Sequence, residues 1–332
     1  MVNIISTASL PRLANAYKAA GALTASTYTA VAIKTLSYHP HLDLPLRHNV
    51  LTIAQALAPL PLVLATFAAL SSAASAAGMP RLKSATYRRL NLAAATASLW
   101  LAAASLFAPL FAVGYKLLTP SITTLVTSVH LTVAALCLKI WANSVTSSPK
   151  PISGHYVPRI LRGVIGSLWS LPPALDVTGA AHDDPDKSID GRALYATACA
   201  GFVWFAIMPC LVAFPLATVP TILGKRLSRA ASAWTFLSAV AAYVLKDGAE
   251  RGRLRASTFR TIRRGLAASS GIHLFVVALK LAGADGGRVG LLKYYPAAMS
   301  CPKASLCSLA VHAIAVYAAL TPPPLPPEKE VR

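Results

Sequence analysis

The stretch LNLAAATASLWLAAASLFAPLFAVGY, residues 90–115, contains no Lys, Arg, Asp or Glu. A helix of about 20 mostly apolar residues crosses the hydrocarbon core of a bilayer, so this run reads as a membrane span. The same texture recurs along the chain. Residues 117–138 (LLTPSITTLVTSVHLTVAALCL) read as another span, and residues 48–80, also without formal charge, fit a helix at 51–72. Residues 193–224 suffice for one helix and an extension broken by Pro209, Pro215 and Pro220. Shorter candidates lie at 230–245, 265–284 (interrupted by Lys280) and 304–321. Flanking Lys and Arg snorkel to the interface and rescue such lengths. Residues 19–33 (AAGALTASTYTAVAI) are the weakest candidate. The expected fold is all-α, a polytopic transmembrane helical bundle of seven or eight spanning helices.

Composition agrees. Of 332 residues, 13% are charged, against roughly a quarter in a soluble domain, and 55% are apolar. Mean hydropathy is +0.56. An ordinary cytosolic enzyme fits poorly, and disorder requires low hydrophobicity. The 31 basic residues exceed the 11 acidic ones, giving +20. They punctuate long uncharged runs instead of gathering on one polar segment, which disfavours nucleic acid as a partner and leaves the lipid bilayer.

Loop charge orients the helices. The basic clusters at 81–89, 139–162 and 246–264 belong on the cytoplasmic side. Eight helices with both termini inside satisfy all three, but leave Lys225, Arg226 and Arg229 on the opposite side. A seven-helix or re-entrant path around the prolines removes that conflict, and both topologies stay open. The chain divides into an N-terminal membrane half (1–142), a polar connection (143–192), a C-terminal membrane half (193–321) and a Pro-rich tail (322–332). Within the connection, the apolar piece 163–175 is too short to span and suits the interface. The N-terminus lacks the basic and apolar regions of a secretory signal. Residues 1–38 are acid-free and hydroxyl-rich, which leaves an organellar transit peptide open.

A weak internal echo is visible. Pro120 precedes His130 as Pro302 precedes His312, and RRLNLAAA (88–95) loosely matches RRGLAASS (263–270). Either an ancient duplication of helix pairs or chance similarity between alanine-rich helices accounts for it.

Candidate chemistry is sparse. Cys137, Cys199, Cys210, Cys301 and Cys307 lie in or beside apolar runs without metal-ligand spacing, so they read as buried thiols. His130, His273 and His312 fall in predicted spans. They could ligate haem iron or a chlorophyll magnesium, relay protons, or simply hydrogen-bond a neighbouring helix. His39, His41 and His48, with Asp43, sit in a Pro-rich loop better read as solvated than as a metal site. Asp183, Asp184, Asp186 and Asp190 form one acidic cluster, where diphosphate chemistry through magnesium usually needs two. No acid lies at mid-span, which disfavours ion coupling.

The remaining acids sit at helix ends. Asp247 and Glu250 follow the apolar run ending Tyr243-Val244-Leu245, and Asp176 ends SLPPALD. Desolvation at the mouth of an apolar cavity favours a protonated carboxyl group, which can then serve as a Brønsted acid. Charge balance against Lys246, Arg251 and Arg253 is the plainer reading of Asp247 and Glu250. Trp100, Trp204, Phe205, Trp234 and Phe275 fall in predicted spans. Ring faces stabilise a cation where water is excluded, although each ring alone is explained by packing or interfacial anchoring.

The segment FPLATVPTILGKRLSRAASAWTFLSAVAAYVLKDGAERGRL (214–254) resembles the fungal membrane-bound terpene cyclases of the ascochlorin and macrophorin type. The resemblance covers about residues 190–320 and carries no motif that places catalytic residues one by one. It implies an endomembrane enzyme, in the endoplasmic reticulum, of meroterpenoid secondary-metabolite biosynthesis. Such a cyclase takes a lipophilic prenylated substrate, commonly epoxidised, with an aromatic or quinone-like head, and needs no metal or organic cofactor. On this reading Asp247, Glu250 or Asp176 is the proton donor, and the five aromatic residues line the substrate cavity. The alternative is a non-catalytic organellar subunit or a pigment- or haem-binding scaffold using the three histidines. A passive carrier comes third.

Overall fold

The computed structural model describes residues 9–37, 54, 57–107, 120–146, 191–212, 222–281 and 302–321, and helices dominate them without any strand. Eight long helices and one single-turn helix make up these residues: α1 (Ser9–Ser37), α2 (Leu60–Ala77), the single turn α3 (Met79–Leu82), α4 (Ala85–Phe107), α5 (Pro120–Thr146), α6 (Gly191–Val212), α7 (Ile222–Glu250), α8 (Ser257–Leu281) and α9 (Pro302–Leu320). The expected all-α class is met. Three helices, Leu60–Ala77, Thr123–Ser144 and Ser257–Leu279, are long and apolar enough to cross a membrane, and Gly191–Ile207 and Cys307–Leu320 are shorter apolar helices.

Three helices outrun the uncharged windows, whereas α2 starts at Leu60, after Pro59, and not at 51. α1 extends well past 19–33 at both ends, α7 past 230–245, and α4 begins five residues before 90. Lys and Arg are good helix formers, so a charge ends a hydrophobic window without ending the backbone ladder. Two turns are set by glycine. Gly78 (φ +58°) follows α2 and Gly252 (φ +63°) follows α7, each in the left-handed region that L side chains rarely adopt.

Neighbouring helices follow a circuit: α1 packs on α2, α2 on α8, α8 on α9, α9 on α6, α6 on α7, α7 on α4, α4 on α5, and α5 on α1. Across the middle, α2 also meets α4 and α7, and α7 meets α8. Small residues let the backbones close. A Cβ at Gly265 would lie 2.3 Å from that of Ala65, and one at Gly201 would lie 2.3 Å from Val311. The two Arg-rich turns come together at one end, where the hydroxyls of Tyr87 and Thr258 hydrogen-bond at 2.5 Å. The charge reading placed these two clusters on one side of the membrane, and the fold puts them side by side. The core is apolar and alanine-rich, with the fully buried rings of Tyr17, Tyr195 and Phe202 among its largest members.

Candidate functional site

Asp247 and Glu250 are the two carboxylates among the described residues, and both lie in the last turn of α7. The helix repeat places Tyr243, Asp247 and Arg251 on one stripe and Lys246 and Glu250 on the next. Arg89 enters from α4. Its guanidinium donates to Asp247 Oδ2 at 3.2 Å and lies 4.7 Å over the Tyr243 ring. Arg251 reaches Asp247 Oδ1 at 2.9 Å. The carboxylate therefore accepts from a guanidinium on each oxygen. The two partners differ in environment: the Arg89 side chain is 16% exposed and that of Arg251 is 53% exposed. An exposed pair is screened by water and holds weakly.

Lys246 is buried along its length and donates to Glu250 Oε1 at 2.6 Å, with Glu250 a third exposed. The end of α7 thus joins a buried ammonium, two carboxylates, two guanidinium groups and a phenol ring at the rim of an otherwise apolar bundle. Of the sequence-derived acids, Asp247 and Glu250 share this cluster. Asp176 lies outside the described residues, as do the acidic group at 183–190 and the histidines at 39, 41 and 48 with Asp43.

The five aromatic residues do not converge. Trp234 on α7 is buried edge-on against Tyr28 of α1, with centroids 5.4 Å apart, and Phe205 on α6 is also buried. Trp204, Phe275 and Trp100 are 61%, 63% and 38% exposed, on the outer surfaces of their helices. Trp234 stands thirteen residues from Asp247 on α7, about 20 Å at the helical rise. Tyr243 is the ring beside the acids. It was absent from the sequence-derived set, as was Arg89. The spacing Tyr243, Asp247, Arg251 could have found the first; nothing in the sequence separates Arg89 from Arg88.

The histidines form a second polar feature. His273 of α8 and His312 of α9 stack with ring centroids 4.0 Å apart, and Ser308 Oγ lies 3.5 Å from His273 Nε2. Phe202 meets His312 edge-on at 5.2 Å. Rings stacked this closely leave no room for a macrocycle between them. Nδ1 of His312 and Nδ1 of the buried His130 lack hydrogen-bond partners. Among the described residues no three His, Cys, Asp or Glu side chains gather as a metal site. Cys137 and Cys199 are buried free thiols, and Cys307 is free and exposed.

Comparison of the chain with protein-family models and with curated proteins gives no match in either.

Proposed function

We propose that this protein is an integral membrane terpene cyclase of an endomembrane, with eight spans and both termini cytoplasmic. The observation that carries the reading is the gathering of Asp247 and Glu250, the only described carboxylates, against Arg89 and Tyr243 at one end of an apolar bundle. A prenylated substrate partitions into the bilayer and enters between helices. Arg89 fixes Oδ2 of Asp247, and the exposed Arg251 swings off Oδ1 as the substrate enters, so that this oxygen can carry and present the proton. Glu250, a third exposed, exchanges protons with water. Protonation of a terminal epoxide opens its C–O bond as the chain closes on the cationic carbon. The resulting carbocation then loses a proton, so the net reaction is an isomerisation. The Tyr243 ring holds the Arg89 guanidinium in place, and the low-dielectric surround excludes water from the carbocation. No metal is called on.

The test is expression in a host fed a farnesylated phenol with a terminal epoxide, followed by analysis for cyclised isomers. Asp247→Asn is expected to remove product, Glu250→Gln to reduce it, and Asp176→Asn, made in parallel, to probe the acid outside the described residues. Full activity in all three would overturn the assignment of the acid. Absence of product from any prenylated substrate would overturn the function.

The unpartnered Nδ1 atoms of His130 and His312 favour a second reading, a pigment- or haem-binding scaffold. Visible absorbance in the purified protein, lost on replacing these histidines, would establish it in place of the first.

A further inference from the structure

The second four long helices pack in the pattern of the first four. Helices α1, α2, α4 and α5 contact one another in the same scheme as α6, α7, α8 and α9. The contacts between these sets also exchange correctly: α4 on α7 is the counterpart of α8 on α2. Each set turns from its second to its third long helix after a glycine with positive φ, Gly78 or Gly252.

Burial follows the same register. On α5 and α9, Val126, Val133 and Cys137 are buried as Ser308, Ala315 and Ala319 are, while Leu125, Ser128, Leu131 and Ala135 are exposed as Cys307, Ala310, Ala313 and Tyr317 are. In this register His130 matches His312, and Pro120 matches Pro302. On α1 and α6, Tyr17, Ala20 and Thr24 are buried where Tyr195, Ala198 and Phe202 are. The third helices agree best in sequence: RLKSATYRRL (81–90) corresponds to RLRASTFRTI (253–262). This corrects the echo read from sequence by three residues, because Arg88 pairs with Arg260 and not with Arg263. The polar links differ: Tyr17 donates to Asn91 Oδ1 at 2.7 Å, whereas the counterpart Tyr195 donates to the Ala318 carbonyl at 2.9 Å and Arg263 to the carbonyls of Ala319 and Thr321. Chance similarity of alanine-rich helices does not explain agreement in contacts, burial and the placing of a positive-φ glycine together.

The two interfaces between the units are not alike. Where α8 meets α2, Gly265 lies so close that a Cβ on it would strike Ala65. On α4 the counterpart of Thr261 is Arg89, which meets Tyr243 and Asp247 of α7. One interface is a close glycine–alanine approach, and the other holds the acid–guanidinium–phenol group.

We infer that the chain is two copies of one four-helix unit related by a two-fold axis along the bundle, and that the chemistry resides at only one of the two interfaces this symmetry creates, between α4 and α7. Units of four helices give parallel repeats, so the axis runs along the membrane normal. Arg89 is the positioning residue of that interface, acting through Asp247. The placement of chemistry rests on the cyclase reading; the duplication does not.

The experiment has two arms. In the full chain, freed of native cysteines and given a protease site within 147–190, Tyr87→Cys with Thr258→Cys is bridged by a short thiol-reactive bifunctional reagent, which spans the length of the lost phenol ring and holds the cleaved halves together. The two-fold relation exchanges this pair with Phe259 and Thr86, so Phe259→Cys with Thr86→Cys is expected to cross-link to a similar extent. A link at the first pair without one at the second, or a link at neither, overturns the duplication. Phe259→Tyr creates no cavity and is a second measurement: its hydroxyl should reach Thr86 as that of Tyr87 reaches Thr258, raising the thermal midpoint, and a fall would count against the symmetry. In the second arm, on the epoxidised farnesyl phenol, Arg89→Ala should lower kcat at least tenfold with little change in KM. Arg89→Lys should recover part of this, and the symmetry-related Thr261→Ala should leave activity unchanged. Equal losses in Arg89→Ala and Thr261→Ala overturn the single-interface assignment. No turnover in any variant, the unmodified chain included, overturns the cyclase reading and the placement with it, while the cross-links judge the duplication separately.

Discussion

Arg89 and Asp247 bridge α4 and α7 at 3.2 Å with the guanidinium lying over Tyr243, so one side chain satisfies a carboxylate and covers a ring at once. These two residues belong to different halves of the chain, and the bridge ties the halves at the end where the Arg-rich turns meet. Arg89→Ala leaves Asp247 Oδ2 without its donor and uncovers Tyr243. Charge-assisted hydrogen bonds are worth roughly 1.5–3 kcal/mol. Partial exposure reduces this, and a loss of about 1–2 kcal/mol is expected. Thermal unfolding in detergent measures it. Arg89→Lys should recover less than half, because an ammonium has neither the planar fork nor the stacking face.

Gly265 supports the opposite interface. A methyl there would meet Ala65 Cβ at 2.3 Å, Pro61 O at 3.1 Å and Leu62 Cα at 3.2 Å. Two of these atoms are backbone, so α8 must move away from α2. Overpacking of this kind costs about 1–3 kcal/mol, and Gly265→Ala is expected to lower the melting temperature accordingly. Gly271, six residues on in the same helix, has nothing within 4 Å of its would-be Cβ. Gly271→Ala is expected to be neutral or to stabilise by up to about 1 kcal/mol, through better helix propensity. If the two alanine variants melt alike, close approach of α8 to α2 is not what Gly265 provides.

Tyr17 is fully buried and donates to Asn91, whose amide nitrogen donates in turn to the Tyr87 carbonyl at 3.0 Å. This chain connects α1 to the turn that carries the Arg89 bridge. Tyr17→Phe removes the donor and leaves Asn91 Oδ1 buried without it, at an expected cost of about 1–2 kcal/mol. Asn91→Leu removes both sides of the arrangement, strands the Tyr17 hydroxyl and should cost more. Hydrogen exchange of the α4 amides would show whether the loss is local to this turn.

Much of the fold was legible because helix and membrane share one signal, the long uncharged run. The eight long helices fall on the eight candidate segments, and the boundaries shift because Arg12, Lys34 and Arg88 continue helices that a hydropathy window stops. The acids at the end of α7 were legible for a related reason: charge is rare here, and its position stands out. The aromatic cavity was not legible. In a bilayer, both the packed face and the lipid face of a helix are apolar, so nothing in the sequence distinguishes the buried Trp234 from the exposed Trp204. Arg89 was hidden within its own cluster, since only the docking of α7 onto α4 separates it from Arg88. The repeat was half legible. Its histidines and prolines were visible, but the register needed the two glycine turns, whose unequal lengths shift α2 against α7.

Trp204 and Phe275 give the outer surface a direct test. They are 61% and 63% exposed on α6 and α8, in apolar helices, and a soluble bundle would not present such rings to water without a partner. In a bilayer these faces meet acyl chains. Phe275→Leu and Trp204→Leu should then be close to silent in stability and in any activity, because one lipid-facing apolar group replaces another. Phe275→Arg should impair insertion of α8, since an arginine within a span costs about 2.5–3.5 kcal/mol on insertion scales. The opposite change at Arg260, in the first turn of α8, sets the contrast: Arg260→Leu should insert as well as the parent and change only orientation bias. A glycosylation reporter fused after α8 reads both outcomes. Normal insertion of Phe275→Arg would mean that this face does not lie in the hydrocarbon core, and that something other than lipid covers it.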